Sequence, residues 1–204
     1  AAIILTDTIK CFGDLAIIDV STPCGVGWYH YALDYWNPIF NGGTWVTISQ
    51  LTAYNIPTFT SLPANNYRVT VTDTASGVTT QAFINITEPT QLTTSYNTTD
   101  VSCFGGNDGS VTLYIYGGTT DYIVSAFGIT LPLVGGLDSI ASSTLPLPNG
   151  VPAGIYPFVV TDANGCSTTD TVIITQPTEI TVSSTTTNVS CNGTSDGTAT
   201  INIS

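Results

Sequence analysis

The 204-residue chain repeats itself at an interval close to 90 positions. Val101 to Tyr116 reads VSCFGGNDGSVTLYIY and Val189 to Ile203 reads VSCNGTSDGTATINI, so that Cys191 follows Cys103 by 88 positions. Upstream, Ile9 to Val20 reads IKCFGDLAIIDV, a shortened copy in which Cys-Phe-Gly survives, with Cys11 standing 92 positions before Cys103. A second pattern pairs Leu62 to Gly77 with Val151 to Gly165 and displaces Pro63, Tyr67 and Asp73 each by 89 positions. A third pairs Ile84 to Thr93 with Ile173 to Thr181 at a displacement of 88. Solenoid repeats run to roughly 20 to 50 residues, so a period near 90 is that of tandem domains. Residues 1–90 and 91–178 are expected to form two domains. Residues 179–204 are expected to open a third repeat or to serve as exchanged strands.

Composition narrows what those domains can do. A 42% hydrophobic fraction with only 8% charged residues argues for a folded chain, since disorder needs low hydrophobicity together with high charge. Two basic residues, Lys10 and Arg68, stand against fourteen acidic ones, and a net charge of −12 cannot line a phosphate-binding groove. Nucleic acid is excluded as a partner. No apolar run approaches the roughly 20 residues that a membrane helix requires. The chain begins at Ala1 and contains no Met, and it is expected to be a segment of a longer array.

Val, Ile, Thr and Tyr dominate, and Gly and Pro punctuate at the spacing of an all-β sandwich. Arg68-Val-Thr-Val-Thr, Phe83-Ile-Asn-Ile-Thr and Val111-Thr-Leu-Tyr-Ile alternate with period two, which predicts half-buried strands. Asn107-Asp108-Gly109 and Ala163-Asn164-Gly165 read as tight hairpin turns. Glu88-Pro89-Thr90 and Gln176-Pro177-Thr178 end strands and stiffen the passage between domains. The expected fold is therefore all-β: tandem immunoglobulin-like β-sandwich domains with a partial third repeat.

Five cysteines suggest an oxidising, extracellular setting. Within the second copy, Cys103 and Cys166 are an expected pair whose closed loop stabilises by about 4 kcal/mol on the chain-entropy estimate. In the first copy Val78 occupies the position of Cys166 while Cys24 appears as an extra, so Cys11 is expected to pair with Cys24. Cys191 is then left for a partner outside the chain. Buried reduced thiols and an intermolecular bridge through Cys191 are the alternatives.

CFGGNDGS, the Gly117-Gly118 that follows, and YPFVVTDANGCSTTDTVIITQPTE resemble the SprB-type repeat of secreted Bacteroidota adhesins and surface filaments. The resemblance covers most of residues 91–178 and the start of the third copy. The first copy departs from it, lacking the Asp-Gly turn and the late cysteine. The resemblance implies an immunoglobulin-like or PKD-like stalk or filament domain, exported by a type IX system, displayed at the cell surface and without catalytic activity. It also implies O-glycosylation of Asp-Ser/Thr triplets, with Thr8, Thr74, Ser139 and Thr171 as acceptors.

Catalytic residues are sparse. The single histidine, His30, stands in WYHYALDYW, and nothing resembles a nucleophile elbow. Asp19 and Asp34 are the conceivable carboxylate pair for glycosidic chemistry. No cofactor is expected, with calcium as the one possibility, held by oxygen ligands of Asn107, Asp108, Asp162 and Asn164 at one end of the second domain. The distinctive stretch is Trp28 to Trp45, which holds all three tryptophans. Tyr29, Tyr31, Leu33 and Tyr35 alternate and should fill the sandwich, leaving Trp28, His30 and Trp36 to contact a ligand or a neighbouring subunit. Two functional readings follow. One is a structural and adhesive filament segment whose partners are itself or adjacent repeats. The other is a carbohydrate-binding module of a secreted hydrolase, with surface glycans as partners.

Overall fold

Strict alternation of side chains builds the strands. In β6 (Asn65–Asp73) Tyr67, Val69 and Val71 are buried between more exposed neighbours, and in β9 (Ser110–Tyr116) Val111, Leu113 and Ile115 are. The computed structural model describes residues 2–22, 27–39, 42–54, 57–133, 139–141 and 150–204, and among these there is no helix. The first sandwich packs β1 (Ala2–Asp7), β2 (Ala16–Ser21) and β5 (Thr58–Leu62), in the order β1-β2-β5, against a second sheet. That sheet holds β3 (Tyr29–Asn37), β4 (Thr44–Ala53), β6 and β7 (Thr79–Ile86) in the order β4-β3-β6-β7.

The second sandwich repeats this arrangement. Here β8 (Thr93–Thr99), β9 and β12 (Ser139–Ala141) form a sheet in the order β12-β9-β8. The facing sheet holds β10 (Tyr122–Ala126), β11 (Ile129–Leu133), β13 (Gly154–Thr161) and β14 (Ser167–Ile174) in the order β11-β10-β13-β14. Three antiparallel strands against four, with the chain crossing between sheets after its second strand, is the layout of an immunoglobulin-like sandwich. Each sandwich has its own core, from Ile9 to Ile86 in the first and from Leu92 to Ile174 in the second. The expected boundaries near residues 90 and 178 fall between β7 and β8 and just after β14.

Both sandwiches carry a tyrosine corner, in which a tyrosine near the start of the sixth strand donates its hydroxyl to a carbonyl upstream. Tyr67 donates to Pro63 O and Tyr156 to Pro152 O, each at 2.9 Å. The Pro and Tyr displaced by 89 positions in the sequence are thus one structural device used twice.

The third repeat is represented by a hairpin, β15 (Val182–Thr187) with β16 (Thr198–Ile203), in which every residue is exposed. Its register copies that of β8 and β9: Val182 faces Ile203 as Thr94 faces Ile115.

One turn differs from expectation. Asn107-Asp108-Gly109 ends a ten-residue loop between β8 and β9, and is not a tight hairpin turn. Gly109 is needed for space, because a Cβ there would lie 2.5 Å from Val151 O. The loop is closed by the Asp108 carboxylate, which accepts the Ser102 amide at 3.0 Å. At 162–166, by contrast, Asp162 N donates to Cys166 O across a turn in which Gly165 takes a φ of 91°.

Candidate functional site

Two regions combine unusual chemistry with defined geometry: the junction between the sandwiches and the outer face of the first. The junction is built from a four-residue turn that occurs three times. In Cys11-Phe12-Gly13-Asp14, Cys103-Phe104-Gly105-Gly106 and Cys191-Asn192-Gly193-Thr194 the fourth amide donates to the cysteine carbonyl, at 3.1, 3.0 and 3.2 Å. The glycine takes a φ of 83°, 71° and 89° in turn, the left-handed third position that only glycine adopts without strain. In the first two turns the glycine amide then donates to a side-chain oxygen of the linker. Gly13 N donates to Glu88 Oε2 at 2.9 Å, and Gly105 N donates to Gln176 Oε1 at 2.8 Å. Glu88 and Gln176 are equivalent residues 88 positions apart, so the Cys turn grips the outgoing linker identically in both repeats.

At the first junction this turn also meets the second sandwich. Asn164 Nδ2 donates to Lys10 O at 3.0 Å, and Cys11 is disulfide-bonded to Cys166 with a Cα separation of 5.6 Å. The expected pairs Cys103 with Cys166 and Cys11 with Cys24 are therefore replaced by a bridge between domains. The reason is positional. The Cys103 turn lies at the end of the second sandwich near Gln176, whereas the Cys166 turn lies at the opposite end, beside Thr119 and Lys10. A seven-residue strand, β9, separates those ends, a span of about 20 Å that no disulfide bridges. Cys103 and Cys191 are exposed thiols, and Cys24 lies outside the described residues.

The Asp162 carboxylate organises the acceptor turn. Its Oδ1 accepts the amides of Asn164 and Cys166 at 2.9 and 2.8 Å, and its Oδ2 accepts that of Thr119 at 2.9 Å. The four residues considered for calcium are thus split, with Asn107 and Asp108 at the far end and Asp162 and Asn164 at the near end. The structure does not bring them together.

The outer face of the first sandwich gathers aromatic rings. Trp36 lies edge-on to Trp45 at 5.4 Å, Trp45 is 5.7 Å from Phe83, and the Arg68 guanidinium sits 4.8 Å above the Trp45 ring. Asp34 fixes that guanidinium, accepting Nε at 2.8 Å and Nη2 at 2.6 Å on Oδ2, while its Oδ1 accepts Thr47 Oγ1 at 2.6 Å. A depression of about 450 Å³ beside these rings is closed by Asn66 and Asn85, whose side chains bond each other at 2.6 Å. Each amide keeps further donor and acceptor capacity. Gly43 lets Trp36 lie against the backbone, since a Cβ there would be 2.0 Å from the indole.

Of the expected contact residues, Trp36 belongs to this face, while His30 and Trp28 lie elsewhere on the same sheet. His30 Nδ1 is 3.3 Å from Thr52 Oγ1, and Trp28, 57% exposed, packs edge-on to Tyr54 at 5.9 Å. Trp45, which ends the aromatic stretch, and Phe83, which opens an alternating run, are not among the expected contact residues. Trp45 shares the parity of the inward-facing Leu51 and Ala53, but the extra residue Ile48 makes a bulge against Leu33 and Asp34 that turns it outward. Asp19 and Asp34 point to opposite outer faces, because inward neighbours flank each of them, and Asp19 accepts Thr58 Oγ1 at 2.6 Å. Among the expected glycan acceptors, Thr8 and Thr74 are exposed and Thr171 is half-buried in β14. Thr74 donates its hydroxyl to Trp28 O at 2.7 Å, and Ser139 lies in β12.

Residues 95–122 match the SprB repeat. The match runs from Ser95 in β8 through the Cys103 turn and β9 to Tyr122 at the start of β10, so β15 and β16 are a second copy of most of the SprB segment. With the sandwich fold it supports a structural segment of the surface-adhesin type. No helix of the described residues is long and apolar enough to cross a membrane. No curated protein sequence matches this chain. Among solved structures, an amphioxus IgVJ-C2 molecule aligns over 86% of this chain and 100% of its own at 10% identity and a TM-score of 0.35. A Salmonella alpha-2-macroglobulin reacted with methylamine aligns over 90% of this chain at 9% identity and 0.27. An Escherichia coli alpha-2-macroglobulin activated by porcine elastase does so over 90% at 10% and 0.26. The aligned chain spans 17% and 23% of those two macroglobulins. The immunoglobulin-like assignment rests on strand order.

Proposed function

We propose that this chain is a segment of an extracellular, cell-surface filament or adhesin in which sandwich domains are joined end to end. The observation that carries this reading is the junction: one Cys turn, one linker contact and one positive-φ glycine recur in step with the repeat. A binding protein needs one good surface. A load-bearing array needs a defined coupling between neighbours, and coupling is what the repeat preserves here. Display at the surface of a Bacteroidota cell through a type IX system, with O-glycans on Thr8, Thr74, Ser139 or Thr171, belongs to this reading. Electron microscopy of native material with intact mass of its denatured subunit tests it. Linear fibres of a beaded chain are expected, and globular monomeric particles would reject it.

A second reading is favoured by the aromatic depression. Trp36, Trp45 and Phe83 with the Asn66 and Asn85 amides supply stacking faces and hydrogen-bonding groups of the kind a pyranose ring engages. The first domain would then carry the adhesive contact for the array. Glycan binding that falls at least tenfold in Trp36→Ala and Trp45→Ala is expected, with Trp28→Ala as the control on the same sheet. Binding that persists in both variants would remove the sugar reading and leave the array.

A further inference from the structure

We infer that Cys103 is the donor of a second inter-domain staple, bonded to the late cysteine of a third sandwich built on β15 and β16. This rests on the array reading above and adds a covalent rule for joining neighbours: the turn cysteine of one repeat bonds to the late turn of the next wherever that turn ends in Asn-Gly-Cys, as 164–166 does and the Ser76-Gly77-Val78 turn of the first repeat does not.

Cys103 occupies the place of Cys11 in the backbone of its turn and in the grip of that turn on the linker. Its turn has the same hydrogen bond and the same left-handed glycine, and Gly105 grips Gln176 as Gly13 grips Glu88. Cys11 is bonded one repeat downstream, whereas Cys103 presents an exposed thiol at the end of the second sandwich that faces the third repeat.

The hairpin of that third repeat is itself incomplete. Ile180, Val189, Ile201 and Ile203 are exposed, yet the residues 88 positions earlier, Leu92, Val101, Leu113 and Ile115, are all buried in the second core. The apolar face has the pattern and register of β8 and β9, so its complement is a segment with the chemistry of residues 117–178. When that segment ends its turn as 162–166 does, with Asn-Gly-Cys, its cysteine comes to the position that Cys166 holds at the first junction. A second copy of this chain does not serve, because its Cys166 is already bonded to its own Cys11.

Formation of the bond is balanced by a disulfide oxidant, either a small molecule or a thiol–disulfide oxidoreductase. The two thiols give up two protons and two electrons, the S–S bond forms, and the oxidant leaves as two thiols.

The test extends the full chain after Ser204 with a copy of its own residues 117–178 and refolds it in a glutathione redox buffer. Peptide mapping without reduction should show Cys103 linked to the appended copy of Cys166, and Cys103 should become resistant to iodoacetamide under native conditions. In Cys103→Ser the appended cysteine should become alkylatable while Cys11 stays bonded to Cys166. Hydrogen exchange reports separately on whether the third sandwich forms. A protected hairpin with Cys103 still alkylatable overturns the staple and leaves the array reading intact. A hairpin that stays unprotected rejects the array reading and the staple with it.

Discussion

Asp34 is one of two charged residues buried among those described, and it is held on an outward-facing strand position under Arg68, Thr47 and the Trp45 ring. Both carboxylate oxygens are satisfied, so removing Arg68 leaves a buried charge without its counter-ion. Arg68→Met is expected to cost about 3 kcal/mol of stability in the first sandwich, the low end for buried pairs because the Arg68 side chain keeps 24% exposure. Urea unfolding followed by tryptophan fluorescence measures it, and an unchanged midpoint would mean the pair is structurally idle. Tyr67 offers a second test. Burial pushes its hydroxyl up to about 12. The neutral phenol therefore stabilises the fold fully below the ordinary value of about 10, and that contribution is lost as pH rises through the folded value. Tyr67→Phe should lower stability by about 1 kcal/mol at neutral pH through the lost bond to Pro63 O. It should also flatten the decline in urea midpoint between about pH 10 and pH 12 relative to the parent chain.

At the scale of elements, β4 shows how one inserted residue redirects chemistry. Ile48 interrupts the alternation, so that Leu51 and Ala53 pack on the core while Trp45 and Thr47 reach the outer face. The β15–β16 hairpin shows the opposite case, a correctly registered element with nothing to pack on. Two strands alone are marginal in water, and stability here comes from burial that this hairpin lacks. Amides of residues 182–203 are expected to exchange with solvent at least a hundredfold faster than those of β6 and β13, read by hydrogen exchange with mass spectrometry. Comparable protection in the isolated chain would show that the hairpin is already covered.

For the molecule as a whole, the Cys11 to Cys166 bridge links two cores that are otherwise separate, across a sequence separation of 155. Its chain-entropy effect, about 5 kcal/mol, is exerted on the unfolded chain, and between the folded sandwiches it acts as a tether that leaves the packing within either unchanged. Reduction, or Cys11→Ser, is expected to leave the circular dichroism of both sandwiches intact. In solution scattering it should increase the maximum dimension and broaden the distance distribution. Collapse of the β-sheet signal on reduction would place the bridge within a folding unit instead of between two.

The period near 90, the alternation in Arg68 to Thr72 and Val111 to Ile115, and the lack of helix-forming stretches make the all-β tandem architecture legible in the sequence. Those are local and self-repeating signals, and a strand's inward residues are set by its own spacing. The pairing of Tyr67 with Pro63 was present as a displaced pattern but not readable as a hydrogen bond. Cysteine connectivity was not legible, because it depends on which end of a sandwich each turn occupies. That is fixed only once β8 runs away from the first domain and the β13–β14 turn comes back toward it. The aromatic face was half legible: Trp36 follows from strand parity, but Trp45 and Phe83 join it through a bulge and a cross-strand neighbour. The oxygen ligands of the second domain were similarly grouped by type and then separated by the length of a strand. Sequence determined the elements and their repetition through local spacing, and tertiary structure decided which ends meet, because proximity across sheets and domains has no period along the chain.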